Sequence, residues 1–283
     1  MENAYKSVLE PILYELRDHL SSFVIIGGWV PELYRRFGEG GEWAVKPLAT
    51  SELDVLLDED EAASENVDAL AERLRAAGFE PIGDGSAKAI WERDASSGER
   101  IEFFLDHTGP WEQVAETREV GSGEISGIAL RDLGLLSRHS VTLRLAADDV
   151  HNDDALAVRV PELGAFLVLK GATFRRRPVA AKRAKDLHYI VDVMASGDAQ
   201  VDAVQAQILS YCGLGGAIAE LARSCRNLVQ LVVTEPPDSE LRQRLAEALE
   251  VRHALSKQEA DARAVGYLND FVELIPQECG DAY

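Results

Sequence analysis

The sequence predicts an α+β domain followed by a helical domain, with the change near residues 150–160. Strand-like runs alternate with helical patterns through the first half of the chain. A hairpin signal sits inside that half, and from Pro161 onward helical periodicity continues almost without break to "SELRQRLAEALEVRHALSKQEADARAVGYLNDFVELI". The expected domains are 1–155 and 156–283. At 283 residues with 46% hydrophobic composition, the chain is long enough to build two cores.

The opening "MENAYKSVLEPILYELRDHL" reads as an amphipathic helix, with Val8, Leu9, Ile12, Leu13, Leu16 and Leu20 at helical spacing. It carries acids and lacks the basic start and continuous apolar centre of a signal peptide. No apolar run approaches the length of a membrane span, so no membrane partner is expected. A strand follows at 23–26, then Gly27-Gly28, then a helix at 30–37 with Pro31 at a position where a missing N–H costs nothing. The glycine-rich loop at 38–47 is expected to be mobile. A strand at 52–57 precedes a helix over 64–77, with Ser64 as N-cap and Gly78 as its stop. "KAIWERDA", the turn "SSGE" and "RIEFFLD" form the hairpin. A mixed stretch with strand candidates "VTLRLA" and "LAVRV" completes the domain.

Charge and rarer residues narrow the function classes. A formal charge of −20 argues against a surface that binds nucleic acid everywhere. One local exception is "KGATFRRRPVAAKRAKD", Lys170 to Asp186, with seven Lys or Arg and a single acid. It is either a solvated helix face or a polyanion contact. Cys212, Cys225 and Cys279 are odd in number, far apart and without histidine clusters, which argues against a zinc site and a disulfide framework and for a reducing cytoplasm. His107, His139, His151, His188 and His253 lack ligand spacing and are assigned surface or capping roles. Trp29 is either a base-stacking residue or a core residue.

The stretch "FVIIGGWVPELY" holds the first chemical signal. Strand, glycine turn and helix start is one way to build an anion site, because glycine lets backbone approach a phosphate closely. It matches neither the Walker pattern nor G-x-G-x-x-G. The second signal is "SELDVLLD". Glu52 and Asp54 lie two apart on a strand, so both leave one face, roughly 7 Å apart, while Leu53 and Val55 enter a core. Two like charges on one face need a counter-charge, and Mg²⁺ supplies one while completing its shell with water and phosphates. In "RIEFFLD", Glu102 shares a face with Phe104 inside an apolar strand, where a carboxylate needs a partner or a metal. Asp106, at the strand end, is the alternative third acid.

A glycine pair, an acid-x-acid strand and a later strand acid resemble the DNA polymerase β-like nucleotidyltransferase superfamily. The resemblance implies a mixed sheet with flanking helices. Gly27 and Gly28 would hold a triphosphate, supported by Thr50 or Ser51. Glu52, Asp54 and Glu102 would hold two Mg²⁺ ions, with Glu102 also helping to activate the attacking hydroxyl. Two departures from the pattern are Glu52, where the family nearly always has Asp, and a long spacer from Gly28, which the 38–47 loop accounts for.

"VPELGAFLVLKGATFRRRPVAAKRAKDLHYIVDVM", residues 160–194, is similar to the second half of the AbiEii/MenT type of toxin nucleotidyltransferase. There Lys170 would match a helix lysine, one of Arg175, Arg176 and Arg177 its arginine, and Lys185 with Asp186 a later pair. Ala181 stands where that type has arginine, and Lys182 or Arg183 would substitute. Lys170 and Asp186 thus join the expected catalytic set, and Lys170 and Lys185 the nucleotide-binding set. The resemblance implies a cytoplasmic enzyme that moves an NMP from an NTP to an acceptor hydroxyl, with tRNA as acceptor and an antitoxin protein as partner. A small hydroxylated acceptor, as in aminoglycoside nucleotidyltransferases, is the alternative, and an inactive nucleotide-binding protein, suggested by Glu52, is the second.

Overall fold

A computed structural model describes residues 8–39, 43–48, 50–58, 66–82, 88–93, 98–107, 116–145 and 156–279. The chain divides into two units, one of residues 1–38 and 49–162 and one of residues 39–48 and 163–283. Architecture follows the expected class: a mixed sheet with flanking helices, then a helical region.

The sheet of the first unit contains β1 (Phe23–Ile26), β2 (Glu52–Leu57), β3 (Glu80–Pro81), β4 (Ile90–Glu92), β5 (Arg100–Asp106), β6 (Glu116–Val120), β7 (Ile125–Leu130), β8 (Ser140–Arg144) and β9 (Ala157–Pro161). Its order is β3-β4-β5-β2-β1-β9-β8, and β7 joins β5 to β6. β1 and β2 pair antiparallel, whereas β2 and β5 pair parallel. The parallel pair could not have been made by a tight turn, and the 66–76 helix lies in its crossover. Period-two alternation in β5 is complete: Ile101, Phe103 and Leu105 are buried and the residues between them are partly exposed. The β6–β7 hairpin gave no clear signal in the sequence because four of the five β6 residues are exposed and none of them alternates with apolar neighbours.

Two local expectations change. The opening helix is split into an α-helix at Glu10–Glu15 and a 3₁₀ stretch at Arg17–Ser22. Pro11 lies in the first turn of that α-helix, where its missing N–H is tolerated. The described part of the 38–47 loop is tied down rather than mobile. Ala44 N–H donates to Ser196 O at 3.0 Å, Leu48 N–H to an Asp192 oxygen at 2.8 Å, and Gln200 Nε2 to Glu39 O at 2.7 Å. Arg252 pairs with Asp192 at 2.8 Å and donates to Lys46 O, which adds a fourth fastening. The proposed Ser64 cap lies outside the described residues.

The second unit packs helices Leu163–Thr173, Ala180–Met194, Asp198–Leu214, Gly216–Thr234, Glu240–His253 and Lys257–Glu273. Gly171 lets the first of these approach the 216–234 helix closely, since a Cβ there would come 2.3 Å from Cys225 Sγ. The last two helices separate at Ala254, a left-handed residue, and the second starts on a full Ser256/Glu259 capping box. Cys212 and Cys279 form a disulfide across a sequence separation of 67, which corrects the expectation from cysteine spacing. Helix packing brings their Cα atoms to 4.8 Å, a proximity that separation along the chain does not encode. Among the described residues no helix is long and apolar enough to cross a membrane.

Candidate functional site

β1 ends in the Gly27–Trp29 3₁₀ turn, and the Val30–Phe37 helix begins directly after it. Gly27 has φ +75°, a region that glycine occupies without steric cost. A Cβ on Gly27 would lie 1.8 Å from Asp54 Oδ2. The group packed against the bare glycine is therefore the Asp54 carboxylate. Gly28 and Trp29 are buried, and Trp29 is 2% exposed, which settles it as a core residue. The turn is anchored by its helix: Glu32 is buried and accepts three 2.7 Å hydrogen bonds from Arg35 and Arg36. Burial pushes the Glu32 carboxyl up, and those bonds outweigh it and hold it below its ordinary value.

Sheet register arranges the acids. Asp54 stands opposite Ile26 on β1 and opposite Glu102 on β5. Glu52 stands opposite Arg100. Alternation places Glu52, Asp54, Arg100 and Glu102 on one face, while Leu53, Val55, Ile101 and Phe103 are wholly buried on the other. Arg100 Nε lies 3.3 Å from Glu102 Oε1, and its Nη1 lies 4.0 Å from Glu52 Oε1. The counter-charge that the sequence reading assigned to a metal is thus supplied in part by a guanidinium, which that reading missed. Thr50 Oγ1 accepts a 3.4 Å bond from Glu52 N–H, so Thr50 and Ser51 sit at the strand entrance.

Among the described residues no group of three or more His, Cys, Asp and Glu side chains converges closely enough to hold a metal. Asp54 and Glu102 form a register-matched pair of oxygen donors beside the Gly27 turn. That donor set fits Mg²⁺, which is held through one or two carboxylates and keeps water and substrate phosphates in its remaining positions. Asp106 shares the face but lines a 150 Å³ cleft with Asp58, Ser137 and Arg138, at the opposite ends of β2 and β5.

In the helical unit, Lys170 and Asp186 meet. Lys170 Nζ lies 3.0 Å from Asp186 Oδ1, and Arg177 Nε lies 2.9 Å from Oδ2. Lys170 also sits over the Phe166 and Tyr189 rings at 5.5 and 5.3 Å. Burial pushes the Asp186 carboxyl up, but the charges of Lys170 and Arg177 outweigh it and hold it below the ordinary range. Much of the basic stretch is committed internally: Arg175 pairs with Glu235, and Arg183 donates to Arg177 O. Lys185 is half-buried and Lys182 exposed, and both lack an ion-pair partner among the described residues. His188 corrects the surface assignment. It is 3% exposed, and burial followed by the positive Arg252 pushes its pKa down to about 4. His107 is buried beside Arg118, His139 lies 3.8 Å from Glu162, and His151 lies outside the described residues.

The mixed sheet thus presents paired carboxylates beside a glycine turn. A family model described as nucleotidyltransferase matches residues 17–207, more than half of the chain, and the chain belongs to that family. It is a transferase enzyme whose donor is an NTP. No curated protein and no solved structure matches the chain.

Proposed function

We propose that the protein transfers an NMP from an NTP to an acceptor hydroxyl with Mg²⁺, at the face formed by Glu52, Asp54 and Glu102. The observation that supports this most is the parallel register that sets Asp54 beside Glu102, with Gly27 bare against the Asp54 carboxylate. The acceptor oxygen bonds to the α-phosphorus, the bond from that phosphorus to the β-phosphate oxygen breaks, and pyrophosphate leaves. Glu102 takes the acceptor proton. The Gly27-Gly28 backbone and the Thr50 and Ser51 hydroxyls orient the phosphates. Asp54 and Glu102 would hold Mg²⁺, with Glu52 at the edge of the set, and the metal would supply positive charge to offset the charge that builds up on the phosphates. The AbiEii/MenT likeness assigns Lys185 to nucleotide binding. Lys170 and Asp186, bound to each other, hold the fold of that unit.

The AbiEii/MenT likeness favours a tRNA 3′ end as acceptor and an antitoxin protein as partner. A small cationic, hydroxylated acceptor is the second reading. It is favoured by the −20 charge and by the internal pairing of Lys170, Arg175 and Arg177, which leaves fewer cations for a polyanion. The test is incubation with each α-labelled NTP, Mg²⁺ and either total tRNA or an aminoglycoside panel, using Asp54→Asn as control. Label in RNA supports the first reading and label in the small acceptor the second. Equal pyrophosphate release by wild type and Asp54→Asn rejects the site.

A further inference from the structure

The acid face contains a cation that the family resemblance does not supply. Arg100 lies two residues before Glu102 on β5, so alternation puts it on the same face, and parallel register puts it directly opposite Glu52. It touches both carboxylates, yet only by charge. Its Nε is buried from water and has no hydrogen-bond partner among the described residues, although Glu102 Oε1 is 3.3 Å away. Its Nη1 reaches Glu52 only at 4.0 Å. Compare Glu32, fixed by three 2.7 Å hydrogen bonds to Arg35 and Arg36. A guanidinium built as a permanent structural clamp makes bonds of that second kind. Arg100 is held loosely, among carboxylates that a divalent cation would also use.

We propose that Arg100 is the resident counter-cation of the acid face, yielding Glu102 and Glu52 to an entering divalent cation and turning to the phosphates of the bound nucleotide. The inference rests on the metal-dependent reading above. Three carboxylates on one face of the β2–β5 pair repel one another, and a tethered guanidinium offsets part of that repulsion while no ligand is bound. Arginine cannot be discharged by deprotonation, so it leaves the acids only by exchanging partners. Anchored on the strand, it stays within side-chain reach of whatever the cation carries. A triphosphate is the anion that matches its planar fork.

Mn²⁺ binding without nucleotide, followed through the free-ion paramagnetic resonance signal, separates this role from a structural one. Removing a positive charge beside the ligands should tighten Mn²⁺ binding to Arg100→Gln by about threefold or more. Binding of a non-hydrolysable α,β-methylene NTP with Mn²⁺ should weaken by about tenfold, the loss of one charge-assisted phosphate contact. Arg100→Lys keeps the charge and loses the fork, so its Mn²⁺ affinity should stay within about twofold while analogue binding still weakens by about threefold. The thermal midpoint of each variant checks folding. Unchanged or weaker Mn²⁺ binding by a folded Arg100→Gln overturns the proposal, as does unaltered analogue binding by Arg100→Lys. Asp54→Asn tells the two failures apart. If it loses Mn²⁺ while Arg100→Gln is unchanged, only the Arg100 role fails. If wild type and Asp54→Asn bind Mn²⁺ equally, or not at all, the metal reading fails and takes this inference with it.

Discussion

Gly27 packs its bare Cα against the carboxylate of Asp54, so closely that a single methyl group would come 1.8 Å from Oδ2. Gly27 opens the turn that follows β1, and Asp54, on the antiparallel neighbour β2, stands opposite Ile26, the last residue of β1. The turn and the acid therefore form one structural unit. Moving either displaces the other.

Gly27→Ala meets two costs: the clash with Asp54 and a backbone at φ +75° that side chains rarely adopt. Strain of this kind is worth about 1–3 kcal/mol. The variant should unfold at lower denaturant concentration and lose NTP turnover by roughly 100-fold, since a shift of about 1 Å in a reacting geometry has that effect. Retention of full turnover would uncouple the turn from Asp54.

Glu52 and Asp54 should differ in weight. The Glu52 side chain is 44% exposed and its charged contact is the distant one to Arg100, whereas Asp54 is flanked by Gly27 and Glu102. Asp54→Asn should cost about 1,000-fold in turnover, near 4 kcal/mol of barrier, and Glu52→Asp about tenfold, near 1.4 kcal/mol. Steady-state pyrophosphate release measures both. A greater loss at Glu52 would move the centre of the site along β2.

Lys170→Met leaves Asp186, which is 4% exposed, with Arg177 as its ion-pair partner. Breaking one side of a buried pair costs about 3 kcal/mol, while the double variant Lys170→Met, Asp186→Leu should recover most of it. Urea unfolding of both gives the comparison. Because the Asp186 pKa is depressed in the folded state, its contribution is present above the ordinary carboxylate value and is lost as pH falls through the lowered one.

His188 titrates near 4 in the folded protein against an ordinary 6.5, so between these values the unfolded chain binds the extra proton. Stability should fall as pH drops through that window, by roughly 3 kcal/mol in all. His188→Leu should flatten the acid limb relative to wild type between pH 6.5 and 4. Parallel denaturation curves across that range would remove His188 as the cause.

The Cys212–Cys279 bond closes a loop spanning 67 residues, and a cross-link of that length contributes about 4 kcal/mol by restricting the unfolded chain. Cys212→Ser should match wild type kept in reductant and fall below oxidised wild type in unfolding midpoint. A midpoint insensitive to reductant would mean that the bond carries no stability.

Strand β1, the glycine turn, its helix, the acid strand and the alternation that sets Glu102 beside Phe104 were legible in the sequence. Each follows from geometry within a few residues: side chains two apart share a strand face, and glycine and proline mark turns and helix starts. The Ser256 capping box is local in the same sense, its N–H and hydroxyl answered by Glu259 three residues on. Which strands become neighbours is not local. The parallel register that joins Asp54 to Glu102 and sets Arg100 opposite Glu52 depends on a crossover of some forty residues. The basic stretch, left open between a solvated face and a polyanion contact, is largely paired inside the helical unit, because folding brings Asp186 and Glu235 to its arginines. The fastenings of Glu39, Ala44, Lys46 and Leu48 and the disulfide were hidden for the same reason. Periodicity is set by the backbone of each segment, while register, ion pairing and cross-links are set by how segments far apart in the chain pack together.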